Sequence, residues 1–470
     1  MRTLGTLAGL WTTLFLVLVT HAIELDIDDE QSIKEAASKA TWGAMTYYHG
    51  NESGSIPGNI PQKWYEGGAL FLTTINYWYF TNDSQYNDVT KVGLEFQGEP
   101  GDFYPTNWTT WIGNDDQLFW SFAAMTAAEM NFPETGQYSW LSLAQGVFNA
   151  QTAAPTPQNT GWDPNTCGGG VHWQKYIEKP GYDLKNAISN GGLFQLSARL
   201  YRYTNRSVYA EWAEKIWDWS VAHDLVNNVT WEVNDGVSTN DDCQTPDPPQ
   251  WTYNYGTFLM GAAYMYNNTS GADQERWLNN VYGLANATLD KFFLKKNGYI
   301  LEELGCDPFP VCTDSNELLF KGPTSLWLGW TAILVPQIYE QIMPKLQYSA
   351  QGAAASCIGG RGDECGGSWY MKKFDNKAGL EPQMTASNIF SINLIPFSHA
   401  KKSKGPLTAS TGGTSKGNFN AGKNDPNKGH ALPPITTGDR VGAGILTAVM
   451  IATLIGTLAW MLVGEDHPGK

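Results

Sequence analysis

From Gln31 to Tyr48 apolar side chains recur at helical spacing, which predicts one amphipathic helix. Beyond it a unit repeats: a polar or turn residue, usually with glycine, then a Leu/Phe-rich run. It occurs as Glu66-Gly-Gly-Ala-Leu-Phe, Asp115-Asp-Gln-Leu-Phe-Trp, Asn190-Gly-Gly-Leu-Phe-Gln, Tyr255-Gly-Thr-Phe-Leu-Met and Lys321-Gly-Pro-Thr-Ser-Leu-Trp. The starts are about 50 to 75 residues apart, enough for a helical hairpin and its loop. Polar helices with apolar stripes lie between them, as in Ser207 to His223 and Ala272 to Phe293. Small Gly and Ala at the starts let inner helices approach closely. Strand-like alternation is scarce, so the pattern predicts an all-α fold, a toroid of helical hairpins, and not an α/β enzyme. Two long loops, Thr152 to Tyr182 and Asn234 to Trp251, are rich in Gly, Pro, Asp and Asn. Loops of that length in a compact domain are functional or disordered.

The two ends of the chain carry different patterns. Arg2, the apolar run Leu4 to Val19 and Thr20-His-Ala22 read as a secretion signal, residues 1–22, with a mature start near Ile23. One large domain or two smaller ones fit the length; a change of composition puts the end of the folded region near Phe397. Residues 398–440 have the Gly/Ser/Thr/Lys composition of a linker. Val441 to Val463 is 23 residues without charge, and 464–470 form a polar tail. Two readings stand for 441–463: a lipid-anchor signal that is removed, with Asn420-Ala-Gly or Asn427-Lys-Gly as attachment candidates, or a retained membrane helix.

Six cysteines behind a secretion signal imply disulfides. Short loops suggest Cys306–Cys312 and Cys357–Cys365, leaving Cys167–Cys243. N-glycosylation sequons stand at Asn51, Asn82, Asn107, Asn205, Asn228, Asn267, Asn268 and Asn286. No cysteine or histidine spacing suggests a metal site, and no cofactor motif occurs. The net charge of −16 argues against nucleic acid as a partner. Twenty Trp and 22 Tyr either fill helix interfaces or stack on the apolar faces of sugar rings.

The chemistry concentrates in Trp108-Thr-Thr-Trp-Ile-Gly-Asn-Asp-Asp-Gln117. Asn114 is a candidate N-cap for a helix over Leu118 to Met130. Asp115 and Asp116 then fall in its first turn, where the helix dipole favours negative charge. They are either helix-start residues or the carboxylate pair of glycosidic bond chemistry. Retention needs carboxyls about 5 Å apart. Adjacent Cα atoms, about 3.8 Å apart, can supply that with splayed side chains.

The stretch Trp111-Ile-Gly-Asn-Asp-Asp-Gln117 has Trp64-Tyr-Glu-Gly-Gly-Ala69 before it and Trp162-Asp-Pro-Asn-Thr-Cys-Gly-Gly-Gly-Val-His-Trp-Gln174 after it. Together with Asn186-Ala-Ile-Ser-Asn-Gly-Gly192 and Trp251-Thr-Tyr-Asn-Tyr-Gly256, these motifs resemble glycoside hydrolase family 76, the endo-α-1,6-mannanases, and in particular its fungal cell-wall branch. The resemblance covers roughly residues 25 to 395. It implies an (α/α)6 barrel and a retaining mechanism with Asp115 as nucleophile and Asp116 as general acid/base. Asp116 is then expected to have the higher pKa of the two. Trp64, Trp108, Trp111 and Trp173 are candidates to stack on sugars, and Gln174, Lys185, Asn186, Asn254 and Tyr255 to bond hydroxyls. The fungal branch implies an α-1,6-mannan or lipid-anchor (GPI-core) glycan as donor, water or glucan as acceptor, and a place at the cell surface, plasma membrane and wall. A wall protein that binds mannan without turnover is the competing reading.

Overall fold

The computed structural model describes residues 23–61, 63–105, 112–134, 136, 138–156, 161–306, 316–360, 362–398, 405–423 and 437–463, with side chains of the last segment described over 444–459. The chain forms two compact units, Met1–Asn424 and Asp425–Lys470.

In the first unit six helices close a ring: α2 (Trp64–Thr81), α4 (Asn114–Glu129), α6 (Ala187–Thr204), α8 (Thr252–Asn268), α11 (Lys321–Leu334) and α13 (Leu380–Ile392). Each packs on the next, and α13 returns to α2. A second layer lies outside: α3 (Asn87–Gln97), α5 (Trp140–Thr152), α7 (Ser207–Ala222), α9 (Gly271–Phe292) and α12 (Tyr339–Ser356) each back the inner helix before them. Helix α1 (Glu30–Met45) backs α13 and so joins the two ends of the domain. This is the expected toroid of hairpins, an (α/α)6 barrel. The short α10 (Asn316–Leu319) precedes α11.

The two layers have the hydrophobic patterns their positions require. Every residue of α11 and α13 is buried, as suits a helix covered on all sides. Helix α9 buries one stripe, including Trp277, Val281, Leu284, Thr288 and Phe292. The glycines at the repeat starts allow the close approach: a Cβ on Gly68 would stand 2.7 Å from the backbone nitrogen of Trp120 on α4.

The first turns of α2, α4 and α8 and the residues just before α6 and α11 meet at one cleft, together with Trp173, Gln174 and Asp235 of the two long loops. Three short strands knit them: β1 (Leu184–Asn186), β2 (Gly236–Ser238) and β3 (Pro246–Asp247), antiparallel in the order β1-β2-β3. Lys185 pairs with Val237, and Val237 with Pro246. The Cys167–Cys243 disulfide joins the same loops, and Cys357–Cys365 also forms. Cys306 is bonded, and its expected partner Cys312 lies outside the described residues.

Composition marks 398–440 as a linker, yet residues 405–423 lie along α4 to α7. Leu407 N–H donates to the Glu129 carbonyl at 3.0 Å and Ala409 N–H to that of Tyr203 at 3.1 Å. Ser415 Oγ donates to Glu134 at 2.6 Å, and Asn149 Nδ2 to the Ala421 carbonyl at 2.8 Å. The Arg206 guanidinium sits 4.2 Å from the centre of the Phe419 ring. A polar, glycine-rich segment is held here mainly by hydrogen bonds to the barrel, with Ala421 buried and Phe419 packed against Tyr209 as its apolar contacts.

Among the sequons, Asn51, Asn82, Asn205, Asn228 and Asn286 are exposed. Asn267 and Asn268 are half-buried, and the Asn267 amide is tied to Arg202 and to the Leu334 carbonyl. Asn107 lies outside the described residues.

The second unit contains α14 (Thr437–Val463), 27 residues long. Among described side chains its apolar stretch is Gly444–Ala459, and no single described helix is long and apolar enough to cross a membrane.

Candidate active site

The site forms where α4 begins. Gly113 is the N-cap, in extended conformation, and Asn114 is the first helical residue. This shifts the cap one residue from the expected Asn114. Asn114 is instead clamped from all sides. Its N–H donates to the Trp173 carbonyl at 2.9 Å and its Nδ2 to that of His172 at 2.8 Å. Its carbonyl accepts from Gln151 at 2.8 Å, and its Oδ1 from Lys175 Nζ at 2.8 Å. The residue before the acidic pair is therefore immobile.

Asp116 performs the capping itself: its Oδ2 accepts the Gly113 N–H at 2.7 Å. Asp115 Oδ1 accepts the Asp116 N–H at 3.0 Å. Both carboxyls keep only a partly exposed edge on a cleft. Tyr65 and Phe119 line it from α2 and α4, and Trp173, Gln174, Asn186 and Asp235 from the loops. Tyr253, Asn316 and Phe320 close the far side. The Tyr253 and Phe320 rings stack at 3.8 Å between centres, and the Tyr65 hydroxyl donates to Asn316.

Burial raises both acids of the pair. Asp115 is pushed well above the usual carboxylate range, by desolvation first and then by the neighbouring Asp116. Asp116 is pushed up to about 6 by desolvation, held back by the Gly113 N–H and the Lys175 cation. Hydrogen bonds oppose the rise on both sides, from the Asp116 N–H and Trp173 at Asp115 and from the Gly113 N–H at Asp116. The two acids titrate as one system. Asp235 is also raised to about 6 by burial, against a hydrogen bond from Asn254. Behind Tyr65, burial and the nearby Glu381 push Glu66 to about 8, while Lys63 bridges both acids at 3.3 and 3.1 Å.

The other sequence candidates divide. Trp173, Gln174 and Asn186 line the cleft, and Asn186 also caps α6 by accepting the Ser189 N–H. Trp64 is a core residue, 4% exposed, packed on Trp120 and bonded to Gln97. Asn254 stands one layer back and orients Asp235. Tyr255 is buried, with its hydroxyl on Gln250. Lys185 holds the Cys167 loop together, its Nζ donating to the carbonyls of Thr166 and Gly169. Burial pulls its pKa down to about 8. Trp108 and Trp111 lie outside the described residues.

Tyr65, Tyr253, Asp235, Asn316, Phe320 and Lys175 complete the site, and the sequence reading missed them. Tyr65 and Tyr253 sit within the quoted motifs, beside Trp64 and Asn254. Helical rotation alone decides which neighbour faces the cleft. Asp235 and Lys175 come from loops with no periodicity to read.

A helical toroid with two consecutive carboxyls at its open end, floored by aromatic rings, defines a glycosidase-type barrel. The chain belongs to glycosyl hydrolase family 76, which it matches over residues 32–410. It is 40% identical to the mannan endo-1,6-α-mannosidase DCW1 of Eremothecium gossypii, over 94% of this chain and 96% of that protein. Its identity to the Saccharomyces cerevisiae DCW1 is 39%, over 97% and 98%. The crystal structure of Dfg5 from Chaetomium thermophilum in complex with glucosamine superposes with a TM-score of 0.78 at 35% identity, covering 84% of this chain and 97% of that one.

Proposed function

We propose that this chain is a mannan endo-1,6-α-mannosidase of the fungal cell-wall type, acting on α-1,6-linked mannose with retention of configuration. The observation that carries the reading is the position of Asp115 and Asp116. They are consecutive carboxyls on an immobilised helix start, both shifted toward holding a proton, in an aromatic cleft. Burial makes it costly to ionise both carboxyls together, and the reaction needs one acid and one carboxylate. Asp115 attacks the anomeric carbon while Asp116 gives its proton to the leaving glycosidic oxygen. The mannosyl ester on Asp115 is then released when Asp116 takes a proton from the acceptor hydroxyl. The helix N-terminus favours the carboxylate present at each stage. Tyr65, Trp173 and Tyr253 offer ring faces to the sugars, and Gln174, Asn186, Asp235 and Asn316 hydrogen-bonding groups.

The acceptor is water in hydrolysis or a sugar hydroxyl in transfer. The layout of the chain supports transfer at a surface: a secretion signal at 1–22, and an apolar segment at 441–463 that serves as anchor or anchor signal. The donor is then the mannose core of lipid-anchored proteins and the acceptor wall glucan. Incubating the purified protein with an anchor-core glycan and a glucan oligosaccharide, read by mass spectrometry, tests this. A joined product supports transfer, and free mannose-terminated fragments alone support hydrolysis. No turnover of either kind by a folded preparation defeats the enzymatic reading.

A further inference from the structure

Lys175 is 1% exposed and lies one residue beyond the cleft-lining Gln174. Its Nζ donates to Asn114 Oδ1 at 2.8 Å, on the residue that precedes the acidic pair. It also lies 5.5 Å from the centre of the Tyr104 ring, whose hydroxyl pairs with that of Tyr176. A buried ammonium is costly unless negative charge compensates it. One amide oxygen and one ring face supply part of that compensation, and the charge of Asp116, two residues further along α4, supplies another part.

We propose that Lys175 is a positioning residue whose charge sets the pH range over which the Asp115–Asp116 pair turns over. The proposal rests on the reading of those two aspartates as the catalytic pair. The titratable groups around the pair come from every neighbouring element. Lys175 faces Asp116 from the loop, and its charge draws Asp116 toward the ionised form. Tyr65 faces Asp116 from α2, with Glu66 and Glu381 behind it. Across the cleft Tyr253 faces Asp115, with Asp235 beside it. Asp102 stands near Tyr104, on the turn that packs against α4. Of the groups named here, Lys175 is the cation whose charge acts on Asp116.

That charge acts in both halves of the reaction. In the first half the C1–O bond breaks as the Asp115–C1 bond forms, and the Asp116 proton goes to the leaving oxygen. Asp115 is then a neutral ester, Asp116 is a lone carboxylate, and Lys175 is its counter-charge. In the second half Asp116 takes the acceptor proton as the acceptor oxygen bonds to C1, and Asp115 leaves as carboxylate. By favouring ionised Asp116, Lys175 lets the base work at lower pH and makes the acid stop donating at lower pH. Loss of the charge therefore moves both limbs of the pH profile upward.

The test uses the full-length protein in detergent, with α-1,6-linked mannose oligosaccharide as substrate. Lys175→Gln keeps a donor for Asn114 without the charge, Lys175→Met removes both, and Lys175→Arg keeps the charge. The kcat/KM–pH profile of Lys175→Gln is expected to shift to higher pH by about one unit, the scale of a single neighbouring charge. That of Lys175→Arg is expected to stay within a few tenths of a unit of the parent, the scatter expected of a kept charge. A folded Lys175→Gln protein whose profile superimposes on the parent overturns the proposal. So does failure of Lys175→Gln and Lys175→Met to accumulate while Lys175→Arg does, since the charge is then a requirement of folding. If Asp115→Asn or Asp116→Asn turns over normally, the reading of the pair itself fails. If those variants are inactive and Lys175→Gln is unshifted, only the role of Lys175 fails.

Discussion

Gly113 and Asp116 hold each other in place: the glycine N–H donates to the aspartate Oδ2 at 2.7 Å, so a proposed catalytic acid is also the cap of its own helix. The glycine is required for a further reason. A Cβ at position 113 would stand 2.4 Å from Asp115 Oδ1 and 3.4 Å from Asp116 Oδ2. Gly113→Ala is therefore expected to displace Asp115 and to lower kcat on the order of 100-fold, the scale of a misplacement of about 1 Å. The unfolding temperature should fall only modestly, because the extended backbone at Gly113 suits any residue and the one backbone contact, the Trp173 carbonyl at 3.2 Å from the new Cβ, needs a shift of a few tenths of an ångström. Single-turnover rates and a thermal melt check both halves of the expectation.

The pair should weaken the fold that carries it. Asp116 ionises at about 6 in the folded protein, against about 3.9 in an unfolded chain. An acid raised in this way stabilises the folded state relative to high pH only while protonated, and that contribution is lost as pH climbs from about 4 through about 6. Asp116→Asn should then be more stable than the parent at pH 7, on the order of 1–3 kcal/mol. The difference should close below about pH 4. Asp115→Asn should behave likewise, since Asp115 is raised too. Chemical denaturation at several pH values measures it, and equal stability at pH 7 would count against a buried pair whose carboxyls are raised. Both variants should have lost turnover.

Neighbours on α2 should separate cleanly. Trp64→Ala removes a core ring and its bond to Gln97, and should cost about 3–5 kcal/mol of stability. Tyr65→Ala, which also removes the Asn316 bond and the Phe119 contact, should cost less stability than Trp64→Ala and raise KM about tenfold, equivalent to ~1.4 kcal/mol of sugar contact. Steady-state kinetics beside calorimetry distinguishes the two; a KM effect confined to Trp64→Ala would reverse the assignment.

Chain length offers a further check. A protein stopped after Phe397 lacks the segment bonded to Glu129, Tyr203 and Glu134, and is expected to be retained in the cell or to melt well below the parent. A protein stopped after Asn424 keeps the first compact unit whole and should be secreted, soluble and active on oligosaccharide. Equal secretion and equal melting of both would show that 405–423 adds nothing to the fold.

What the sequence determined by itself was the layered architecture and the acidic pair. Helical periodicity is local, so stripes such as Trp277 to Phe292 declare an outer helix, while the Gly-containing start and Leu/Trp-rich run of α11 declare an inner one. Adjacent Asp115 and Asp116 after Gly113-Asn114 are a covalent fact, and the short spacing of Cys357 and Cys365 suggested the disulfide that forms. Only the tertiary structure decided which side chains face the cleft. It turned Tyr65 inward and Trp64 into the core, although both belong to one motif. Lys175 went to Asn114, beside the acidic pair, and Lys185 to the loop carbonyls, although only the second had drawn notice. It also laid the glycine-rich 405–423 on the barrel, through partners more than 200 residues earlier in the chain. Burial by period is written along the chain, but a hydrogen bond between distant segments depends on where folding brings their carbonyls, and no local pattern encodes that.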